Sequence, residues 1–130
     1  MSYGTAVTLA LDFDQAVPAV RTSLADEGFG VLTEIDVQAT MRDKLGEELP
    51  AYLILGACNP GLAHRALQVD PSIGLLLPCN VVVRQTGDGT VVEAIDPMMM
   101  VSLSDNPALQ AVADEAASRL RTALTALSTA

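Results

Sequence analysis

The chain has 130 residues, of which half are hydrophobic and 18% are charged, so it has the size and composition of one folded domain and not of a disordered segment. Its formal net charge of −9 repels phosphate backbones and anionic lipid surfaces, so neither a nucleic acid nor a membrane is an expected partner. Because Trp is absent and aromatic residues make up only 3%, aliphatic side chains have to form the core.

The N-terminal residues and the cysteine count bear on the compartment. A basic segment is missing at the start, so no secretory signal is expected. The longest apolar run, over 73–83, is too short to span a bilayer. Two cysteines in a chain of this length do not make a disulfide framework, and a reducing, cytoplasmic location is therefore expected.

The first half of the chain predicts three strands and two helices. Period-two alternation predicts strands over 3–11 and 30–36, and a continuous apolar run predicts an interior strand over 51–57. A first helix is predicted between the capping carboxylates at 12 or 14 and the glycine at 28. A second, short helix is predicted over 37–45 and ends at a glycine.

Two side-chain arrangements are expected from these elements. In the strand over 30–36, alternate residues share a face, which groups Val31, Thr33 and Ile35. In the helix over 37–45, Met41 and Leu45 are four residues apart and are predicted to be buried.

The second half of the chain predicts a helix over 60–69, a hairpin and a long C-terminal helix. Segments 74–77 and 80–86 are predicted as one broken strand or two short ones, and a Gly-Asp-Gly turn joins the latter to a strand over 90–95. Apolar residues then recur at spacings of three and four: Leu109, Val112, Ala116, Leu120, Ala123 and Leu127. The order β-α-β-(α)-β-α-β-β-α is typical of an α+β domain whose sheet is not purely parallel.

Cys58 and Cys79 are the first candidates for chemistry. Each precedes an asparagine, Asn59 or Asn80, and each lies at the end or at a break of an apolar strand. If the two strands are neighbours, both sulfurs can face one pocket, where thiolates suit copper(I), zinc or a thiol redox pair. Their spacing matches no metal-binding template, and the competing interpretation is that both are inert core residues.

His64 and a methionine triplet are the other soft donors near these cysteines. His64, the single histidine, follows Cys58 on a predicted helix and is a candidate third ligand or thiol-activating base, or else a solvated helix residue. Met98, Met99 and Met100 favour copper(I) if they lie beside thiols, although methionine is more often a filler of cores or dimer interfaces.

Several motifs resemble one family, the domain-of-unknown-function family 302 (DUF302). They are ILGACNP over 54–60 and GLLLPCNVVV over 74–83, supported by 28–37, 44–46 and 94–97 in the same order. The resemblance implies a two-layer α+β fold with a mainly antiparallel, curved sheet and helices on one face, of the TATA-binding-protein-like β-α-β(4)-α type. It also implies a homodimer, and it implies no activity.

Three functions from different classes are consistent with these residues. The favoured hypothesis is a small binding module, whose pocket for a small ligand or a soft metal ion such as copper or zinc is formed by Cys58, Asn59, Cys79, Asn80 and Asp96. The second is a thiol-dependent redox protein or enzyme. The third is a dimeric interaction protein with inert core cysteines. No phosphate-binding loop, dinucleotide-binding or hydrolase motif is present in the sequence.

Overall fold

A five-stranded sheet forms one layer of the fold in the computed structural model, which describes residues 3–129. Its strands, in chain order, are β1 (Gly4–Leu9), β2 (Gly30–Asp36), β3 (Tyr52–Cys58), β4 (Cys79–Thr86) and β5 (Gly89–Ile95). They lie in the order β1-β5-β4-β3-β2, and every neighbouring pair is antiparallel. The predicted α+β fold with an antiparallel sheet is therefore confirmed.

Helices form the second layer, on one side of the sheet. They are α1 (Phe13–Asp26), α2 (Val37–Leu45), α3 (Pro60–Val69), α4 (Met98–Leu103) and α5 (Gln110–Ser128), with short 3₁₀ segments at Pro71–Leu76 and Pro107–Leu109. The main core lies between the sheet and helices α1 and α5. Its most deeply buried members include Val20, Leu24, Leu55, Val81, Val83, Val92 and Leu120. As predicted, the six apolar residues that recur at spacings of three and four are all buried: Leu109, Val112, Ala116, Leu120, Ala123 and Leu127.

A second, smaller core lies beside the first one. It joins α3, the 3₁₀ segment Pro71–Leu76, α4 and the beginning of α5 through Leu62, Ala66, Ile73, Met100, Leu109, Val112 and Ala116. The two cores meet where β3 ends and β4 begins, and this junction contains the site described below.

Two helices begin and end where the sequence predicts because their caps are encoded locally. The Asp36 carboxylate accepts a hydrogen bond from the Ala39 amide (2.9 Å) at the start of α2, and Gly46 ends that helix with a φ of 68°. At the start of α3, Asn59 Oδ1 accepts from the Leu62 amide (3.2 Å). Pro60 then occupies the first turn, where a missing N–H costs little.

A β-bulge in β2 overturns the expected grouping of Val31, Thr33 and Ile35. Val31 pairs with Ala57, but Thr33 pairs with Gly56, so Leu32 is an extra residue in the ladder. An inserted residue reverses the alternation. Val31 therefore packs against the main core, whereas Thr33 and Ile35 are exposed on the opposite face.

Two further expectations are corrected, and one helix is additional to the predicted elements. Helix α2 buries no residue: Met41 is half-buried and Leu45 is 68% exposed, because the main contacts of α2 are with β3 alone and leave most of the helix surface uncovered. Segment 74–77 is not a strand, since Pro71–Leu76 forms a 3₁₀ helix that buries Ile73. Helix α4 was not predicted from the sequence. It begins where the Asp96 carboxylate accepts a hydrogen bond from the Met98 amide (2.9 Å).

Gly56 in β3 is required by the close packing of two side chains over it. A Cβ at this position would overlap Thr33 Oγ1 and would lie 2.8 Å from Pro78 Cγ. Gly30 in β2 is a matched position, because a Cβ there meets no atom within 4 Å.

We expect Gly56→Ala to lower the free energy of unfolding by about 1–3 kcal/mol, the usual cost of adding a methyl group to a filled site. Gly30→Ala is the control and should leave stability unchanged or slightly increased, because alanine restricts the unfolded chain. Urea unfolding followed by far-UV circular dichroism measures both. Equal stabilities for the two variants would contradict the packing described at Gly56.

Candidate functional site

The two cysteines lie at the same end of two neighbouring strands. Cys58 is the last residue of β3 and Cys79 is the first residue of β4. The register places Ala57 directly opposite Cys79, so Cys58 is the next residue along from that pair. Cys79 is buried, Cys58 is half-buried, and both are free thiols. Both side chains line a single cavity at the junction of the two cores.

This cavity is small and almost entirely apolar. Its volume is about 30 Å³, and its walls include Phe29, Leu62, Ala63, Ala66, Leu77, Pro78, Val112 and Ala116. A cavity of this size has room for one or two water molecules or for a single ion. An organic cofactor or substrate does not fit without movement of the surrounding helices.

A third sulfur lines the same cavity. Met100, on α4, is 8% exposed and lies in the cavity wall together with Cys58 and Cys79. The sequence identified the methionine triplet but not the helix that positions it. The available signal was Asp96 followed by Pro97, since an aspartate before a proline commonly precedes a helix start.

Of the predicted site residues other than the two cysteines, the structure brings Asn59 to the cavity wall and places the remaining three elsewhere. Asn80 is exposed and pairs with Gly56 on the opposite face of the sheet. The Asp96 carboxylate accepts the Met98 amide and lines a different cavity, and His64 is exposed on α3. Across residues 3–129, no three side chains of His, Cys, Asp or Glu form a group able to hold a metal ion. A binding role for Asn80, Asp96 or His64 stays a prediction.

The environment of Cys79 keeps its thiol protonated. Burial and, secondarily, the neighbouring Cys58 raise the pKa of the Cys79 thiol from 9.0 to about 11. Thiol enzymes require the opposite shift, since the thiolate is the nucleophile and their reactive cysteines have a lowered pKa. In the state described here, Cys79 is therefore not an activated nucleophile at neutral pH.

An ionic network joins the two helices that wall the cavity. Glu115 on α5 accepts hydrogen bonds from Arg65 of α3 (3.2 Å) and from Arg119 of α5 (3.3 Å), and Arg119 also donates to the Glu27 carbonyl. The hydrogen bond from Arg65 is the largest of the effects that lower the pKa of Glu115. These side chains are 42–47% exposed, so the network orients α3 against α5 more than it stabilises the fold.

Comparison with known proteins identifies the family. The model of the domain of unknown function DUF302 matches residues 5–127, which is nearly the whole chain. The chain belongs to the DUF302 family. A crystal structure of an uncharacterized conserved DUF302 protein from Bacillus stearothermophilus superposes with a TM-score of 0.90 and 30% sequence identity, covering 98% of this chain and 99% of that chain. A comparison with curated proteins finds no match.

The DUF302 motifs coincide with the cavity. The stretch 54–60 supplies Ala57, Cys58 and Asn59, and the stretch 74–83 supplies Leu77, Pro78 and Cys79. The homodimer and the TATA-binding-protein-like likeness stay predictions. Within residues 3–129 of this DUF302 chain, no helix is both long enough and apolar enough to cross a bilayer.

The raised pKa of Cys79 predicts how this thiol reacts. In a Cys58→Ala variant, which leaves Cys79 as the single thiol, we expect the rate of alkylation by iodoacetamide to keep rising above pH 9, because burial, the larger cause of the raised pKa, remains and only the thiolate reacts. Because the pKa of this thiol is higher in the folded chain than in the unfolded chain, its contribution to the free energy of unfolding is fully present below pH 9 and is lost as the pH rises towards 11.

Mass spectrometry of the alkylated protein measures this pH profile. The control is the same variant in guanidinium chloride, where the profile should return to that of an ordinary cysteine. A folded-state rate that levels off near pH 8 would contradict the burial of this thiol.

Proposed function

We propose that this DUF302 chain binds one copper(I) ion through the sulfur atoms of Cys58, Cys79 and Met100. The observation that carries this proposal is that these three side chains line one small apolar cavity. Thiolate and thioether sulfurs are soft ligands, and copper(I) is the common biological metal that such a set selects.

The cavity volume favours an ion over the small organic ligand that the sequence also allowed. A volume of about 30 Å³ matches a single ion and its immediate ligands.

The donor set also favours copper(I) over zinc. Structural zinc sites use four donors from cysteine, histidine or carboxylate side chains, and catalytic ones use three. Cys58 and Cys79 are the two such side chains among the residues that line this cavity, and Asn59 already accepts a hydrogen bond from the Leu62 amide. The thioether of Met100 is the third sulfur donor in the cavity wall, and thioethers suit copper(I).

Binding to two thiols requires that their protons leave. The Cys79 thiol is protonated at neutral pH, so an incoming cation has to displace its proton, which passes to the buffer. Affinity for copper(I) should therefore rise with pH over the neutral range. The positive charge of the ion offsets the burial that keeps the empty thiol neutral.

We expect the reduced wild-type protein to bind one equivalent of copper(I) per chain and to gain thermal stability as the free copper(I) concentration rises above the dissociation constant. The double variant Cys58→Ser/Cys79→Ser should lose this binding, because a hydroxyl is a hard and weakly acidic donor. Anaerobic titration against a chromogenic copper(I) chelator measures both. Equal binding by the double variant and the wild type would end the proposal.

The identity of the third donor is a separate prediction. We expect Met100→Leu, which conserves volume, to weaken copper(I) binding by about tenfold, or ~1.4 kcal/mol, through loss of one sulfur. His64→Ala should leave the affinity unchanged, since His64 is exposed and outside the cavity wall. The reverse pattern, with His64→Ala weaker and Met100→Leu unchanged, would assign the third position to the histidine.

A further inference from the structure

A second apolar depression adjoins the cavity and opens to solvent. It has a volume of about 240 Å³ and is lined by Tyr3, Leu76, Ile95, Met99, Met100 and Leu103. Tyr3 and Leu103 are 80% and 68% exposed, so this groove lies at the surface of the protein. We refer to these six residues as the methionine groove.

Met100 belongs to the walls of both spaces. It lines the methionine groove and also the cavity that contains Cys58 and Cys79, so it lies between the two spaces. Met99 is half-buried and lines the groove but not the cavity. On the groove side the soft donors are thus Met99, which borders only the groove, then Met100, which borders both spaces, then Cys58 and Cys79, which border only the cavity.

Met98, the third member of the triplet, lies outside this line. It is in the wall of neither space, and its sulfur accepts a hydrogen bond from Gln110 Nε2 (3.7 Å). The chain therefore contains a matched control: three consecutive methionines on one helix, of which one borders only the groove, one borders both spaces and one borders neither.

We propose that Met99 and Met100 form the entry route by which copper(I) passes from the surface groove to Cys58 and Cys79. This inference rests on the proposed function and extends it from a resting site to a path. Thioethers bind copper(I) without having to lose a proton, so they can accept the ion before the buried thiols ionise. Moving an ion from water through an apolar wall costs free energy, because the ion loses its hydration. Sulfur ligands along the way reduce that cost.

The passage is a sequence of ligand exchanges with no change in oxidation state. The ion is first held by the sulfurs of Met99 and Met100 and by a ligand of its donor. The bond to Met99 then breaks as a bond to one cysteine sulfur forms, and the bond to the donor's ligand breaks as a bond to the other cysteine sulfur forms. The donor's ligand returns to solution, and the proton of each thiol leaves to the buffer. Met100 stays bound throughout, which is consistent with its position between the two spaces.

The test compares the rates at which variants are loaded with copper(I). Anaerobic stopped-flow mixing with the copper(I)–bicinchoninate complex follows loading through the loss of its colour, and excess bicinchoninate follows release. We expect Met99→Leu to slow both loading and release by about tenfold, the lower end of the effect of removing a group that supports a metal site. A residue used only in transit changes the barrier and not the end states, so the ratio of the two rates should stay constant.

Met98→Leu is the control and should load and release at the wild-type rates. Both substitutions conserve volume, and matching thermal unfolding curves of the metal-free proteins would verify that the fold is retained. If wild-type protein takes up no copper(I), the proposed function fails. If wild-type protein binds copper(I) but Met99→Leu and Met98→Leu load at equal rates, the site stands, the route is overturned and the ion enters beside the half-buried Cys58.

Discussion

The pairing register of β3 and β4 is the constraint on which the rest of the site depends. It places Ala57 opposite Cys79 and Gly56 opposite Asn80. The last residue of β3, Cys58, and the first residue of β4, Cys79, therefore lie at the same end of the two strands. A shift of one residue would turn every side chain of a strand to the other face. The core would lose Leu53, Leu55 and Ala57 together, and for this reason the hydrophobic pattern fixes the position of the thiols.

The site lies where it does because two cores meet without merging. The main core is built of large aliphatic side chains between the sheet and helices α1 and α5. The smaller core uses α3, α4 and the start of α5, and four alanines face the junction: Ala57, Ala63, Ala66 and Ala116. Small side chains leave unfilled volume, and the sulfur-bearing residues surround it. The ion pair between Arg65 and Glu115 joins α3 to α5 at the surface.

Most of the fold could be predicted from the sequence because its signals are local. Capping residues and glycines set the bounds of α2 and α3, and the periodicity of the C-terminal helix identified its buried face. The sequence-based predictions that were wrong or missing concern features that depend on residues far away in the chain. The bulge at Leu32 is visible only once β2 is paired with β3, and the exposure of Leu45 depends on where α2 lies beside the sheet. Likewise, the two cysteines were identified from repeated local context, whereas the arrival of Met100 beside them depends on tertiary packing.

The bulge in β2 has a consequence for how this molecule behaves in a crowded solution. β2 is an outermost strand, and outermost strands carry backbone groups that can recruit a strand from another molecule. The extra residue interrupts the regular spacing of those groups, and the acidic side chain of Asp36 further along repels a like-charged neighbour. A chain rich in valine, leucine and isoleucine is thereby discouraged from stacking into extended fibres along this edge.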